Sequence, residues 1–189
     1  MFTAFLDACV LLPVSLADTL LRAAEAGLYR PVWSPTVLDE VRRAFVRVHP
    51  DVPPSRIDSR LRAADRHFPD ASARGYEPLI ATIELRDPDD RHVVAAAVIA
   101  GADAIVTANL SDFPLVSLEP LGLHAVSPDD FLLDLLDLAP ATMVQIVHEQ
   151  ARATSRPPLD FTDVLISLGK AGVAGFASTV RDMDTADQG

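Results

Sequence analysis

The sequence predicts an α/β fold, with a central and mostly parallel sheet, followed by a helical C-terminal extension. Three observations carry this. The helix expected after Asp87–Pro88 is apolar on nearly every side through Ala100 and feeds a short, wholly apolar strand, Ala104 to Thr107. That is the pattern of a parallel sheet covered on both faces. Residues 2–6 (FTAFL) form a second short apolar run that ends at Asp7. From about residue 136 onward, helical periodicity continues without any strand signal. The expected division is therefore an α/β domain over 1–135 and a helical extension over 136–189.

The elements follow in order. FTAFL reads as a buried first strand, and Pro13 opens a helix running to about Gly27, with Leu16, Leu20, Ala23 and Ala24 on one face. Tyr29 to Trp33 suits either a short strand or an extended link. Ser34–Pro35 pairs a capping hydroxyl with a proline at the first helical position. Val37, Val41, Ala44 and Val48 then recur at helical spacing. Another helix is expected from Pro54 to about His67, then a loop over 69–78. Asp87–Pro88 starts the apolar helix, and Gly101 ends it. Asn109 to Pro114 reads as a loop, Leu123 to Val126 as a strand, and Ser127–Pro128 as the start of a helix to about Leu138. Leu132, Leu135, Leu136 and Leu138 give that helix an apolar face. Three more helices are expected, at Pro140 to about Thr154, Asp160 to Gly169 and Gly175 to about Arg181. Pro157–Pro158 separates the first two, and a polar, frayed tail follows the last.

Composition narrows the function. With 189 residues, 49% hydrophobic and 23% charged, the chain can bury a full core, which excludes a disordered or collagen-like state. A single cysteine, Cys9, excludes an internal disulfide framework and a cysteine-based zinc finger, and suits a reducing compartment. The longest apolar stretch, Val93 to Ala102, is about half of what a membrane-spanning helix needs. No basic flank marks a signal peptide at the amino terminus, so a cytoplasmic location without a membrane role is expected.

The net charge of −11 argues against a passive nucleic-acid binder. The charges are unevenly placed, however. Seven of the fifteen arginines lie between Arg42 and Arg66, against three aspartates in the same window. A carboxylate-rich metal site beside a basic strip would account for both features.

Four carboxylates are candidates for that site. Asp7 directly follows the first strand, and ligand sites of parallel sheets form beyond the carboxyl ends of strands. Glu40 sits at the border of its helix's apolar stripe, with Arg43 and Arg47 on the same side. Asp90 lies in the first turn of the buried helix, where Asp87 is the better cap, and Asp112 follows the AIVT strand. Each has an ordinary alternative: a turn former, an i,i+3 salt-bridged glutamate, a helix cap. Converging on one sheet edge, the four would repel one another at a cost that a divalent cation removes. All-oxygen coordination selects Mg2+ or Mn2+, and such a cation suits phosphodiester hydrolysis. Thr107 and Asn109 are placed either to orient ligands or simply to close the turn. His92 is expected in the core or behind the carboxylates, Cys9 and Trp33 in packing.

The segments FLDACVLLP, VLDEV, DPDDRHVVAAA and IVTANLSDFP resemble, in order and spacing, the four acidic motifs of PIN-domain nucleases. Within that superfamily the chain is most similar to VapC-type toxins of type II toxin–antitoxin pairs, in particular longer members with a helical C-terminal extension. The resemblance implies a three-layer α/β/α fold and a metal-dependent endoribonuclease. It also implies a metal-binding and catalytic quartet of Asp7, Glu40, Asp90 and Asp112, supported by Thr107 and Asn109. An RNA substrate, a cognate antitoxin and a homodimer complete what it implies. Many members carry a small polar residue where this chain has Cys9. With RNA as substrate, Arg43, Arg47, Arg56 and Arg60 become candidates for holding phosphates, the alternative being internal pairing with the many aspartates. A dehalogenase-type phosphatase would want an aspartate at the Cys9 position, and a phospho-receiver would want a core lysine, whereas Lys170 is the only lysine. A PIN fold kept only for binding RNA or protein, and a PIN nuclease of RNA processing without an antitoxin, remain as rival readings.

Overall fold

The computed structural model describes residues 1–154 and 158–187. In chain order the elements are β1 (Thr3–Leu6), α1 (Ala8–Leu11), α2 (Val14–Glu25), β2 (Arg30–Val32), α3 (Pro35–Val48), α4 (Pro54–His67), α5 (Glu77–Ile80), α6 (Arg91–Ile99), β3 (Ala104–Val106), α7 (Leu115–Leu118), β4 (His124–Val126), α8 (Pro128–Leu138), α9 (Pro140–Ala153), α10 (Phe161–Lys170) and α11 (Ala174–Asp187). The four strands form one sheet in the order β2-β1-β3-β4, and every pairing is parallel. The fold is thus the expected α/β architecture with a helical extension.

Packing gathers the chain into two compact units, neither contiguous in sequence. One holds Met1–Leu12 with Tyr29–Val126, and the other holds Pro13–Leu28 with Ser127–Gly189.

The first unit contains the sheet. β1 and β3 are completely buried, and Phe5, Val32, Ile105 and Val106 supply its apolar centre. Val37, Val41 and Phe45 of α3 and the run Val93–Ala97 of α6 are also buried there, which explains why α6 carries no polar stripe. Ser34 caps α3 by accepting from the Val37 amide at 3.2 Å, with Pro35 in the first turn as the sequence indicates. At the start of α6 the sequence expectation of one continuous helix is corrected. Pro88–Asp90 form a 3-10 turn, because Asp87 takes the Asp89 amide at 2.9 Å and the Arg91 amide bonds the Pro88 carbonyl. Only then does α6 begin. Gly101, at φ +62°, makes the left-handed turn that leads from α6 into β3. The Tyr29–Trp33 segment resolves as a strand, and Trp33 extends it by a parallel bridge to Ser72.

The second unit is helical. α2 packs on α9 and α10, while α8 packs on α9 and α11. Buried Thr19 donates to Gln150 Oε1 at 2.7 Å, and Gln150 Nε2 donates to the Ser15 carbonyl at 2.9 Å, so this buried polar pair is satisfied. Asp160 and Asp163 form a reciprocal cap on α10. Asp129 accepts from the Gly175 and Phe176 amides at 3.1 and 2.8 Å and so caps α11. α11 runs to Asp187, six residues further than its apolar spacing indicates. The break expected at Pro157–Pro158 and the end of the frayed tail lie partly outside the described residues.

Candidate active site

The strand order 2-1-3-4 reverses direction between β1 and β3: the chain steps from β1 to one side for β2, then to the other for β3. Beyond the carboxyl ends of two such strands the connections diverge and leave a crevice, the usual ligand position of an open parallel sheet. Asp7 and Thr107 are the residues that directly follow β1 and β3.

Asp7 is 92% buried yet well supplied with donors. Its Oδ1 accepts from the Ala8 amide at 2.6 Å, which makes it the cap of the one-turn helix α1. Its Oδ2 accepts from Thr107 Oγ1 at 2.7 Å and from Cys9 Sγ at 3.2 Å. Thr107, fully buried, in turn accepts from the Asn109 amide at 3.1 Å. Cys9 Sγ accepts from the Ala108 amide at 3.2 Å. Burial first, and the Asp7 charge second, push the Cys9 thiol up to about 12, so it stays protonated and serves as a donor to Asp7. The loop after β3 is thereby tied to the end of β1. In this sequence Cys9 is a hydrogen-bonding neighbour of Asp7 as well as a packed side chain.

Asp112 ends a 3-10 turn, Leu110–Asp112, and is half-buried, with Ser111 Oγ 3.4 Å from its Oδ1. Asn109 is exposed beside it. Asp90 closes the turn before α6 without capping it. Its carboxyl is pushed up to about 6 by burial, then by the charges of Asp87, Asp112 and Asp7, with His92 opposing. Asp7 and Asp112 therefore lie close enough to Asp90 for their charges to act on its carboxyl. Glu40 reaches the start of α6 by another route, since His92 Nε2 lies 3.0 Å from Glu40 Oε1.

The donor set fits a hard divalent cation in ligand type and charge: it is all oxygen, and at Asp90 burial and the neighbouring carboxylates raise a proton affinity that a cation would relieve. Among the described residues, no three His, Cys, Asp or Glu side chains already stand as a closed metal cage.

The arginine strip divides. Arg43, Arg47 and Arg56 are exposed. Arg42 is turned onto Asp58 at 2.7 Å. Arg60, expected among the phosphate-holding residues, instead donates to the carbonyls of Leu11 and Leu12. It satisfies the C-terminal end of α1, whose carbonyls have no partner within so short a helix. A helix end made by a single turn leaves no periodic trace in the sequence, so this use of Arg60 was not readable there.

Residues 3–111, more than half of the chain, match the family model described as PIN domain. The chain belongs to the PIN-domain family. Residues 128–182 match a second model, described as VapC50 C-terminal domain. The chain is similar to a protein of Mycobacterium tuberculosis (strain ATCC 25618 / H37Rv) named "Putative ribonuclease VapC50", at 41% identity over 111 residues. The aligned stretch covers 59% of this chain and 64% of that protein, short of two thirds of its length. No solved structure matches the chain. Asp7, Glu40 and Asp90 fall within the PIN-domain match, and Asp112 lies one residue beyond it.

Proposed function

We propose that the protein is a metal-dependent endoribonuclease and the toxin of a type II toxin–antitoxin pair, with Asp7, Glu40, Asp90 and Asp112 as its metal-binding and catalytic residues. The observation that carries the reading is the raised proton affinity of Asp90 among Asp87, Asp112 and Asp7, at the switch point of the sheet. A carboxylate held partly out of water and among like charges destabilises the folded chain unless a cation or a substrate makes use of it. Mg2+ or Mn2+ held there supplies Lewis-acid stabilisation of the charge that builds up on a phosphodiester during hydrolysis.

The chain's own residues do the rest. Thr107 and Cys9 hold Asp7 in one orientation through two donors on Oδ2, and the Ala8 amide fixes Oδ1. Asn109, exposed and joined to Asp112 through its backbone carbonyl at 3.0 Å, is a supporting polar group. Arg43 and Arg47, three and seven residues after Glu40 on α3, hold phosphates flanking the scissile bond, with Arg56 on α4 as a further contact. The partners in this reading are RNA, a cognate antitoxin and a second copy of the chain, in the cytoplasm. The ribonuclease named as a relative supports the activity, and the lack of any single helix long and apolar enough to cross a membrane, among the described residues, suits the location.

A second reading has one observation in its favour. The exposed Arg43, Arg47 and Arg56 would equally serve a PIN fold that binds RNA or protein without cleaving it. Purified protein, free of any antitoxin, incubated with total RNA in Mg2+, in Mn2+ and in EDTA beside Asp90→Asn decides between them. Discrete, metal-dependent fragments absent from the variant support the nuclease, and sequencing their ends identifies the target. Intact RNA under every condition, from folded protein, supports the binding module.

A further inference from the structure

We infer that His92 is a positioning residue for the metal site, holding Glu40 of α3 beside the turn that carries Asp90. The inference rests on the proposed metal-site reading and adds to it a residue outside the quartet.

The geometry is specific. His92 Nε2 lies 3.0 Å from Glu40 Oε1, and the imidazole is 12% exposed while the glutamate is 32% exposed. A carboxylate only accepts, so Nε2 carries the proton of this bond. Nδ1 is buried and has no partner among the described residues. The ring therefore makes one side-chain bond, to Glu40.

Glu40 needs such a partner. It stands at the edge of α3, on a flexible three-torsion stem, with Arg43 one turn further along the same side of the helix. Left alone it would spread over many rotamers, including ones turned to solvent. A bond from the first turn of α6 cancels that tendency. With Oε1 committed to His92, Oε2 is the oxygen left for a cation. Ligands held from behind in this way bind metal about ten to a hundred times more tightly than the same ligands without their partner.

Mn2+ binding tests the role directly, by calorimetric titration of wild type, His92→Leu, His92→Gln, Glu40→Gln and the Glu40→Gln/His92→Leu double variant, each with its Tm measured in EDTA. The expected result is a Mn2+ Kd weakened about tenfold or more in His92→Leu. His92→Gln, whose amide nitrogen replaces Nε2, should recover most of that loss. The double variant should bind no more weakly than Glu40→Gln alone, because His92 acts through Glu40. If His92→Leu does not fold, His92→Asn takes its place, since its shorter amide falls short of Glu40. Wild-type affinity in the leucine or asparagine variant, or losses that simply add in the double variant, overturns the positioning role alone. Failure of the wild type to bind Mn2+ overturns the metal-site reading, and this inference with it.

Discussion

Replacing Asp90 with asparagine should stabilise the metal-free protein at neutral pH even as it abolishes cleavage. The Asp90 carboxyl is pushed from an ordinary 3.8 to about 6. Each tenfold change in proton affinity corresponds to about 1.4 kcal/mol, so the ceiling is about 3 kcal/mol. The side chain is partly open to solvent, and screening brings the expected effect down to about 1 kcal/mol. The folded chain holds this proton more tightly than the unfolded chain. The favourable contribution is therefore complete below about pH 4 and disappears as the pH rises through 6. Asparagine copies the protonated form and loses no capping bond, because Asp90 makes none. In EDTA, urea denaturation should show Asp90→Asn more stable than wild type at pH 7.5 and equal to it at pH 4. Added Mn2+ should raise the stability of the wild type and leave the variant unchanged. A variant that is less stable at pH 7.5 in EDTA, or a difference that ignores pH, would refute the argument that burial and neighbouring charges strain the ionised Asp90.

Three further outcomes are expected. Thr107→Val removes the hydroxyl donor on buried Asp7 Oδ2 and should cost about 1–3 kcal/mol in urea denaturation, with Thr107→Ser retaining most of it. Gly175→Ala places a Cβ 2.7 Å from Asp129 Oδ2, so it should cost about 1 kcal/mol by breaking the α11 cap; in an Asp129→Ala background the same change should cost little. Arg43→Ala/Arg47→Ala should weaken RNA binding and flatten its salt dependence at unchanged Tm, whereas Arg60→Ala should lower Tm and leave the salt slope alone.

What the sequence reveals and what it hides separate along physical lines. Ser34–Pro35, Asp87–Pro88, Ser127–Pro128 and Asp160 are legible because a cap satisfies amides two or three residues away. The α6–β3 pair is legible because burial leaves α6 beyond its first turn, and all of β3, without a polar residue. Asp7 and Asp112 stand out for a similar reason, as acids that follow apolar strands. Glu40 is legible only as an acid at the border of an apolar stripe, since its meeting with His92 depends on how two helices approach, 52 residues apart in sequence. Arg60 on the end of α1 and the donation from Cys9 to Asp7 are likewise products of tertiary placement. The allegiance of α2 is the least visible. Its apolar face looks the same whether it lies on a sheet or on α9 and α10.

That allegiance has a consequence for how the chain comes off the ribosome. α2 emerges right after the first strand, but Thr19 meets Gln150 across 131 residues of sequence. At about 5–20 residues per second, α2 waits on the order of ten seconds for its partners to be made. Throughout that interval Leu16, Leu20 and Ala23 have neither α9 nor α10 to cover them. A truncated chain that stops before Ser127 would never leave this state. A nascent-chain binder that recognises short apolar helices would find its target here, between the first two strands, long before the helical unit exists to claim it.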